Sequence, residues 1–343
     1  MSNSAGITAM RAPLGLIGLG AAAVLLILSG VAFGSSWIPL EQVAAVILGA
    51  GDKTQQLIVL QLRLPRVVIA VLAGGGMALA GFLLQKVTRN SLASPGVLGV
   101  VDGAALGVVI FLALLSDTAN ALVVSIAYQP LAAAIGAFAA IALVFLLAGR
   151  QASSAIRLLL FGIAVAAVAK AITMVLMLIG PIYRTTQAAR WIAGAVNEIN
   201  WGEIQITAIA MVPAILLVLL VARMLPPTDL DETSARGVGL NLPVFRILIF
   251  ALAAALTAIS VAFVGGVGFI GLMAPHLARL IIGRNVYAGL VASFLLGAIM
   301  LVGADLVVRV AFAPVEVPAG TVTAIIGAPY FLFLLMRKDR QNG

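Results

Sequence analysis

Three ionisable side chains, Asp102, Lys170 and Asp305, stand inside long apolar stretches of this 343-residue sequence. A charge in such surroundings is expensive to bury, so each marks a candidate for an ion pair, a relay or a transport path. At a helical rise of 1.5 Å per residue, Asp102 and Lys170 lie roughly 10 Å and 20 Å from the same end of their stretches. Two readings stay open for them: a water-lined path in which Lys170 meets an anionic cargo, and a Lys170 to Asp102 pair that holds two helices together. Asp305 precedes Arg309 by four residues, the spacing of a local helical ion pair. His276 and Arg279, three apart, share one helix face. A hydrogen-bonded structural histidine is the ordinary reading there, and a proton relay is the alternative.

Arginines supply a second signal. Arg63 and Arg66 flank Leu64-Pro65 at the start of one apolar run, and Arg309 lies near the end of another. Guanidinium groups bind carboxylates bidentately, so arginines gathered at one membrane face invite acidic partners, with lipid headgroups as the alternative. Enzymatic chemistry finds little support. The four lysines are Lys53, Lys86, Lys170 and Lys338, and only Lys53 is followed by Ser or Thr, with Asp52 rather than Gly before it. The phosphate-cradling motif of an ATPase is therefore missing, and any ATP-driven step needs a separate nucleotide-binding subunit. With no cysteine and one histidine, thiolate metal sites, disulfides and multi-histidine metal sites are excluded.

Elements that could position these residues follow from composition. The chain is 63% hydrophobic and 9% charged, against about a quarter charged in soluble domains, which makes it an all-α integral membrane protein. Spans of ~20 apolar residues are read near 14–34, 66–85, 96–115, 121–148, 156–180, 204–225, 244–264, 267–283, 286–312 and 319–336. The first, with only Arg11 before it and an apolar core longer than a signal sequence needs, is expected as a retained span, with cleavage near Gly34 as the alternative. The span 267–283 is short, interrupted by Pro275 and preceded by Gly265-Gly266, and broken spans of this kind border transport paths. With both termini inside, thirteen cations fall on the inner side against six outside, as the positive-inside rule requires. Trp37, Trp191 and Trp201 are expected at the outer membrane interface. The longest polar stretch, 226–243, contains Thr228-x-x-Asp231 as a helix-start pattern, with Gly237 and Gly239 as stops. A short inner helix, a turn and a second helix start are expected there, with an ordinary loop as the alternative.

Four segments carry a resemblance: Gln61-Leu-Arg-Leu-Pro-Arg66, Thr88-Arg-Asn-Ser-Leu-Ala-Ser-Pro-Gly-Val-Leu-Gly99, Gly268-Phe-Ile-Gly-Leu-Met-Ala-Pro-His-Leu-Ala-Arg279 and Glu316-Val-Pro-Ala-Gly-Thr-Val-Thr-Ala-Ile-Ile-Gly-Ala-Pro329. Together they resemble the FecCD-type permease subunits of bacterial iron-chelate and cobalamin ABC importers. The resemblance implies a type II importer permease: one domain over 1–343, about ten helices, in the bacterial cytoplasmic (inner) membrane. It also implies a second permease subunit, identical or related, two cytoplasmic ATPase subunits, and an extracytoplasmic substrate-binding protein. The cargo would be a ferric siderophore or related iron chelate, with haem or cobalamin as alternatives. ATP and Mg would sit on the ATPase, leaving this chain without a cofactor and in contact with membrane lipid but not nucleic acid.

By the same resemblance, Arg63, Arg66 and Arg309 dock acidic residues of the binding protein. Leu230, Glu232, Ser234, Ala235, Arg236, Gly237, Gly239 and Leu240 belong to the segment that couples to the ATPase. Departures from the pattern are Ser91 in place of Pro, Asp102 in place of Ser or Asn, Lys170 in place of a small or neutral residue, and Gly194-Ala-Val-Asn-Glu-Ile-Asn200 in place of a Gly-Ser-Leu pattern. Two unusual charges of opposite sign suit either mutual compensation or a cargo-specific path. An ion-coupled secondary transporter using Asp102, Lys170 and Asp305 is the competing class.

Overall fold

The computed structural model describes residues 3–34, 36–116, 122–149, 154–180, 182–196, 199–283, 285–313, 315 and 317–342. Arg150, Arg284 and Glu316 lie outside the described residues, as do the side chains of Arg11, Arg184, Glu232, Arg337, Lys338 and Arg340.

Fourteen α-helices run along these segments: α1 (Asn3–Ala32), α2 (Leu40–Ile47), α3 (Lys53–Gln56), α4 (Leu64–Thr88), α5 (Val100–Leu114), α6 (Gln129–Ala148), α7 (Ala155–Ile179), α8 (Ile182–Ile192), α9 (Trp201–Ala222), α10 (Glu232–Gly237), α11 (Leu242–Val264), α12 (Ile270–Ile282), α13 (Val286–Ala311) and α14 (Ala319–Asn342). Seven helical stretches among the described residues are long and apolar enough to cross a bilayer, and α5, α12 and α14 supply three shorter apolar helices. These ten correspond to the ten stretches read from the sequence. Amphipathic α2 and α8 fill two of the connections, and a π-helix, Leu57–Arg63, feeds directly into α4.

Central to the bundle is α4, buried along most of its length. A helix that is apolar all round belongs in an interior position, and α4 packs on α9, α11, α12 and α13. Small residues let backbones approach closely without the aqueous hydrophobic drive. A Cβ added at Gly74 would overlap the Gly297 carbonyl, and one added at Gly297 would overlap that of Gly74, so the antiparallel α4–α13 contact exists only because both residues lack side chains. On the other flank α5 packs against α6 and α7.

Not every aromatic sits where the sequence suggests. Trp37 is exposed, but Trp191 is buried, because the Gly265–Gly266 turn folds over it and Gly266 N donates to Trp191 O at 3.1 Å. Trp201 turns its ring inward and donates from Nε1 to Leu60 O at 2.8 Å, satisfying a carbonyl in the π-helical stretch.

Candidate functional site

Arg63, Arg66 and Arg309 meet at one end of the bundle, positioned by the C-terminus of α1, the entry into α4 and the last turn of α13. Arg66 donates from Nε to Asp305 Oδ1 at 2.8 Å and approaches the same oxygen with Nη2 at 2.6 Å. Arg309 lies 3.0 Å from Asp305 Oδ2 through Nε and donates from Nη2 to Gly30 O at 2.9 Å. The i, i+4 pair of Asp305 with Arg309 is therefore present, and Arg66 joins it from a helix far away in sequence. Asp305 itself is buried, with 1% of its side chain exposed, so two cations surround one desolvated carboxylate.

Arg63 is used differently. It is 6% exposed and donates to Val31 O, Ala32 O and Ser36 O at 3.0, 2.7 and 2.5 Å. Val31 O and Ala32 O are carbonyls of the last turn of α1 and Ser36 O lies in the segment that follows, so the guanidinium caps the helix end and holds the chain leaving it. Of the three side chains, Arg66 keeps the most exposed surface, 20% against 11% for Arg309.

At the opposite end the polar stretch 226–243 folds as a 3-10 turn, Pro226–Asp229, then α10, then the start of α11. The expected cap is corrected here. Thr228 does not cap a helix; its hydroxyl donates to Leu225 O at 2.6 Å. Asp231 is the N-cap of α10, accepting from Ser234 N at 2.9 Å and from the Ser234 hydroxyl at 2.7 Å. Those donors, the Ser234 backbone N–H foremost, lower the Asp231 carboxyl to about 2.

Of the residues expected to couple, Leu230, Ser234, Arg236, Gly237 and Gly239 are exposed, while Ala235 and Leu240 are buried and anchor the segment to the bundle. Gly239 holds φ +84°, a conformation that glycine adopts without steric penalty. A further tie was not legible in the sequence. Arg89, with φ 52° at the C-cap of α4, donates from Nε to Thr228 O at 2.9 Å and from Nη2 to Leu230 O. Lys86 pairs with Asp229 at 2.5 Å, so the end of α4 grips the inner segment at two points.

Between the two ends, two irregular segments meet the end of a helix. The 3-10 turn Pro95–Leu98, the last residues of α8 and the Gly265–Phe269 turn border a cavity of about 210 Å³ that Asp102 lines with Trp191 and Phe269. Non-helical backbone at membrane depth is tolerated where it is buried in protein or borders a cavity. Helix α12, with 13 residues, is only ~20 Å long and so starts well inside a ~30 Å hydrocarbon layer.

Phe269 opens α12 in the left-handed region at φ 64°, an outlier for a bulky residue. Its ring occupies the space beside Gly327 of α14. Lys170 does not line this cavity; it is exposed on the side of α7, and its field reaches Asp102 without an ion pair between them. His276 differs from its ordinary reading, since its Nδ1 is buried without a hydrogen-bond partner among the described residues and its ring meets Tyr330 edge-on, centroids 6.0 Å apart.

The model of the FecCD transport family matches residues 22–337. A probable siderophore transport system permease protein, YfhA of Bacillus subtilis (strain 168), is 42% identical over 94% of this chain and 93% of its own length. The iron(3+)-hydroxamate import system permease protein FhuG of the same organism is 35% identical over 86% of this chain and 88% of its own. Among solved structures, a metal-chelate type ABC transporter in an inward-facing conformation superposes with a TM-score of 0.84 at 28% identity, covering 95% of this chain and 99% of that one.

Proposed function

From the premise that this chain belongs to the FecCD transport family, we propose that it is the membrane-spanning permease of an ABC importer that carries a ferric siderophore or related iron chelate into the cytoplasm. The observation that carries the proposal is the family match from residue 22 to 337, reinforced by relatives named for siderophore and iron-hydroxamate transport. In this reading the whole chain is one permease domain of the inner membrane, with both termini inside. It works beside a second permease subunit and two ATPase subunits that bind ATP and Mg, and receives cargo from an extracytoplasmic binding protein.

Geometry suggests how the two ends communicate. Arg66 and Arg309 offer guanidinium edges to acidic residues of the binding protein, while Arg63 caps α1 and shapes the surface around them. Leu230 and the exposed part of α10 offer a surface to the ATPase. Central α4 joins both, through Arg66 at its first turn and through Lys86 and Arg89 at its last, so displacement of the inner segment has a rigid path to the outer cluster. Cargo leaves through a path bordered by the Gly265–Phe269 turn, with Asp102 in its wall and Lys170 beyond it.

Iron-chelate uptake into proteoliposomes tests the reading. They would hold this chain with its permease and ATPase partners, with loaded binding protein outside and ATP either enclosed or omitted. Strictly ATP-dependent uptake is expected. Uptake that follows an ion gradient without ATP would overturn it in favour of a secondary transporter.

A further inference from the structure

Where the last turn of α4, the C-terminus of α12 and the first turn of α13 meet the Pro226–Asp229 turn, the surface sinks into a hollow of about 620 Å³. That volume suits a small ligand or a lipid headgroup. Lys86, Arg89 and Arg279 line it, opposed by a single carboxylate, Asp229. Lys86 is already paired with Asp229, and Arg89 is bound to backbone carbonyls. The Arg279 guanidinium is exposed and makes neither a hydrogen bond nor an ion pair among the described residues, so the hollow carries unbalanced positive charge.

Gln85 also lines the hollow. It is 2% exposed, its Nε2 donates to Leu272 O at 3.0 Å, and its Oε1 has no partner among the described residues. Leu280, which follows Arg279 on α12, and Val291, one turn beyond Tyr287 on α13, are exposed. Tyr287, half in the hollow and half outside, has the amphipathic ring favoured at a membrane interface. A basic pocket between helix ends, on helices that also carry exposed apolar residues, is the arrangement that holds anionic lipid headgroups.

We propose that this hollow binds the phosphate of an anionic phospholipid, with its acyl chains along Leu280 and Val291. Arg279 would take two phosphate oxygens bidentately, and Lys86 and Arg89 would add to the field. Assignment to the cytoplasmic leaflet rests on the orientation proposed above; binding itself does not, because a nanodisc presents both leaflets.

The test uses the assembled importer in nanodiscs of phosphatidylcholine with graded phosphatidylglycerol, reading the lipid that stays bound after detergent extraction by native mass spectrometry. Wild type should retain phosphatidylglycerol preferentially. Arg279→Gln should weaken that retention about fivefold, the loss of one cation near a charged surface, and Arg279→Lys should restore part of it. Arg157→Gln removes an exposed cation on α7 that does not line the hollow, and should change nothing.

Equal retention by Arg279→Gln and wild type in a monodisperse complex would overturn the proposal. So would displacement of the lipid by millimolar inorganic phosphate, which would make this a free-phosphate site. Loss of the ATPase subunits from Arg279→Gln with lipid retention unchanged would overturn it too, assigning the hollow to a protein partner.

Discussion

Arg66 and Asp305, 239 positions apart in sequence, are joined by a 2.8 Å hydrogen bond and a 2.6 Å ion pair. The contact ties the start of α4 to the end of α13 and, through Arg309 and Gly30, to the end of α1. One buried carboxylate therefore organises three helix ends.

Asp305→Ala should be severe. Removing one partner from a buried ion pair leaves an uncompensated charge and costs about 3–5 kcal/mol. Thermal unfolding in detergent should show a large fall in midpoint, with Asp305→Asn intermediate because it keeps an acceptor for Arg66. An unchanged midpoint for Asp305→Ala would show that the cluster is solvated and contributes little.

The α4–α13 contact makes a steric prediction. Gly74→Val and Gly297→Val each push a side chain into the opposing backbone, and overpacking typically costs about 1–3 kcal/mol. Folded yield and midpoint should both drop. Gly18→Ala, on α1 with nothing within 4 Å of the added carbon, is the control that should be tolerated.

Much of this was legible in the residues, and the exceptions have physical reasons. The spans follow from composition and length, and the Asp305–Arg309 pair from helical spacing, because these are local properties. Arg66 could not be assigned to Asp305, since no local rule links positions on two separate helices. The spacing of Thr228 to Asp231 fits a capping pattern; in the fold Thr228 lies within the 3-10 turn and gives its hydroxyl to Leu225 O, and Asp231 is the extended residue immediately ahead of α10. Trp191 looked interfacial because tryptophan usually is, and the glycine turn that covers it comes from more than seventy residues later.

Asp231 gives a pH prediction. Its folded-state carboxyl titrates at about 2, below the ordinary aspartate value of about 3.9. A depressed carboxylate contributes stability that is fully present above the unfolded value and is lost as pH falls through the folded one. The cap of α10 should therefore be constant across pH 5–8, and ATPase stimulation by the assembled importer should show no inflection from this group. Asp231→Ala should reduce that stimulation more than Asp231→Asn, which keeps an acceptor for Ser234 N. Equal effects from the two variants would mean that the carboxylate meets the ATPase directly rather than shaping the helix.

Phe269 ties the cavity to α14. It sits at φ 64° with its ring against Gly327, and strained residues of this kind cluster at sites that move. Gly327→Val would force the ring away and should lower chelate uptake severalfold while binding-protein affinity stays unchanged. Matching losses of affinity and uptake would place the defect at the outer face instead.

The arginine trio separates into two roles that one pair of variants can distinguish. Arg63 spends its donors on the carbonyls of α1 and is almost wholly buried, so Arg63→Ala should lower the unfolding midpoint while leaving the salt dependence of docking intact. Arg66 holds Asp305 with one edge and remains partly exposed. Arg66→Gln avoids placing a second carboxylate beside Asp305, and it should slow association with the loaded binding protein by about three- to tenfold at low salt. Screening lengths shrink from about 30 Å at 0.01 M salt to about 8 Å at 0.15 M, so the difference from wild type should narrow as salt is added. A loss that stays constant with salt would mean that Arg66 acts only through the packing of Asp305, and the docking role would then fall to Arg309 alone.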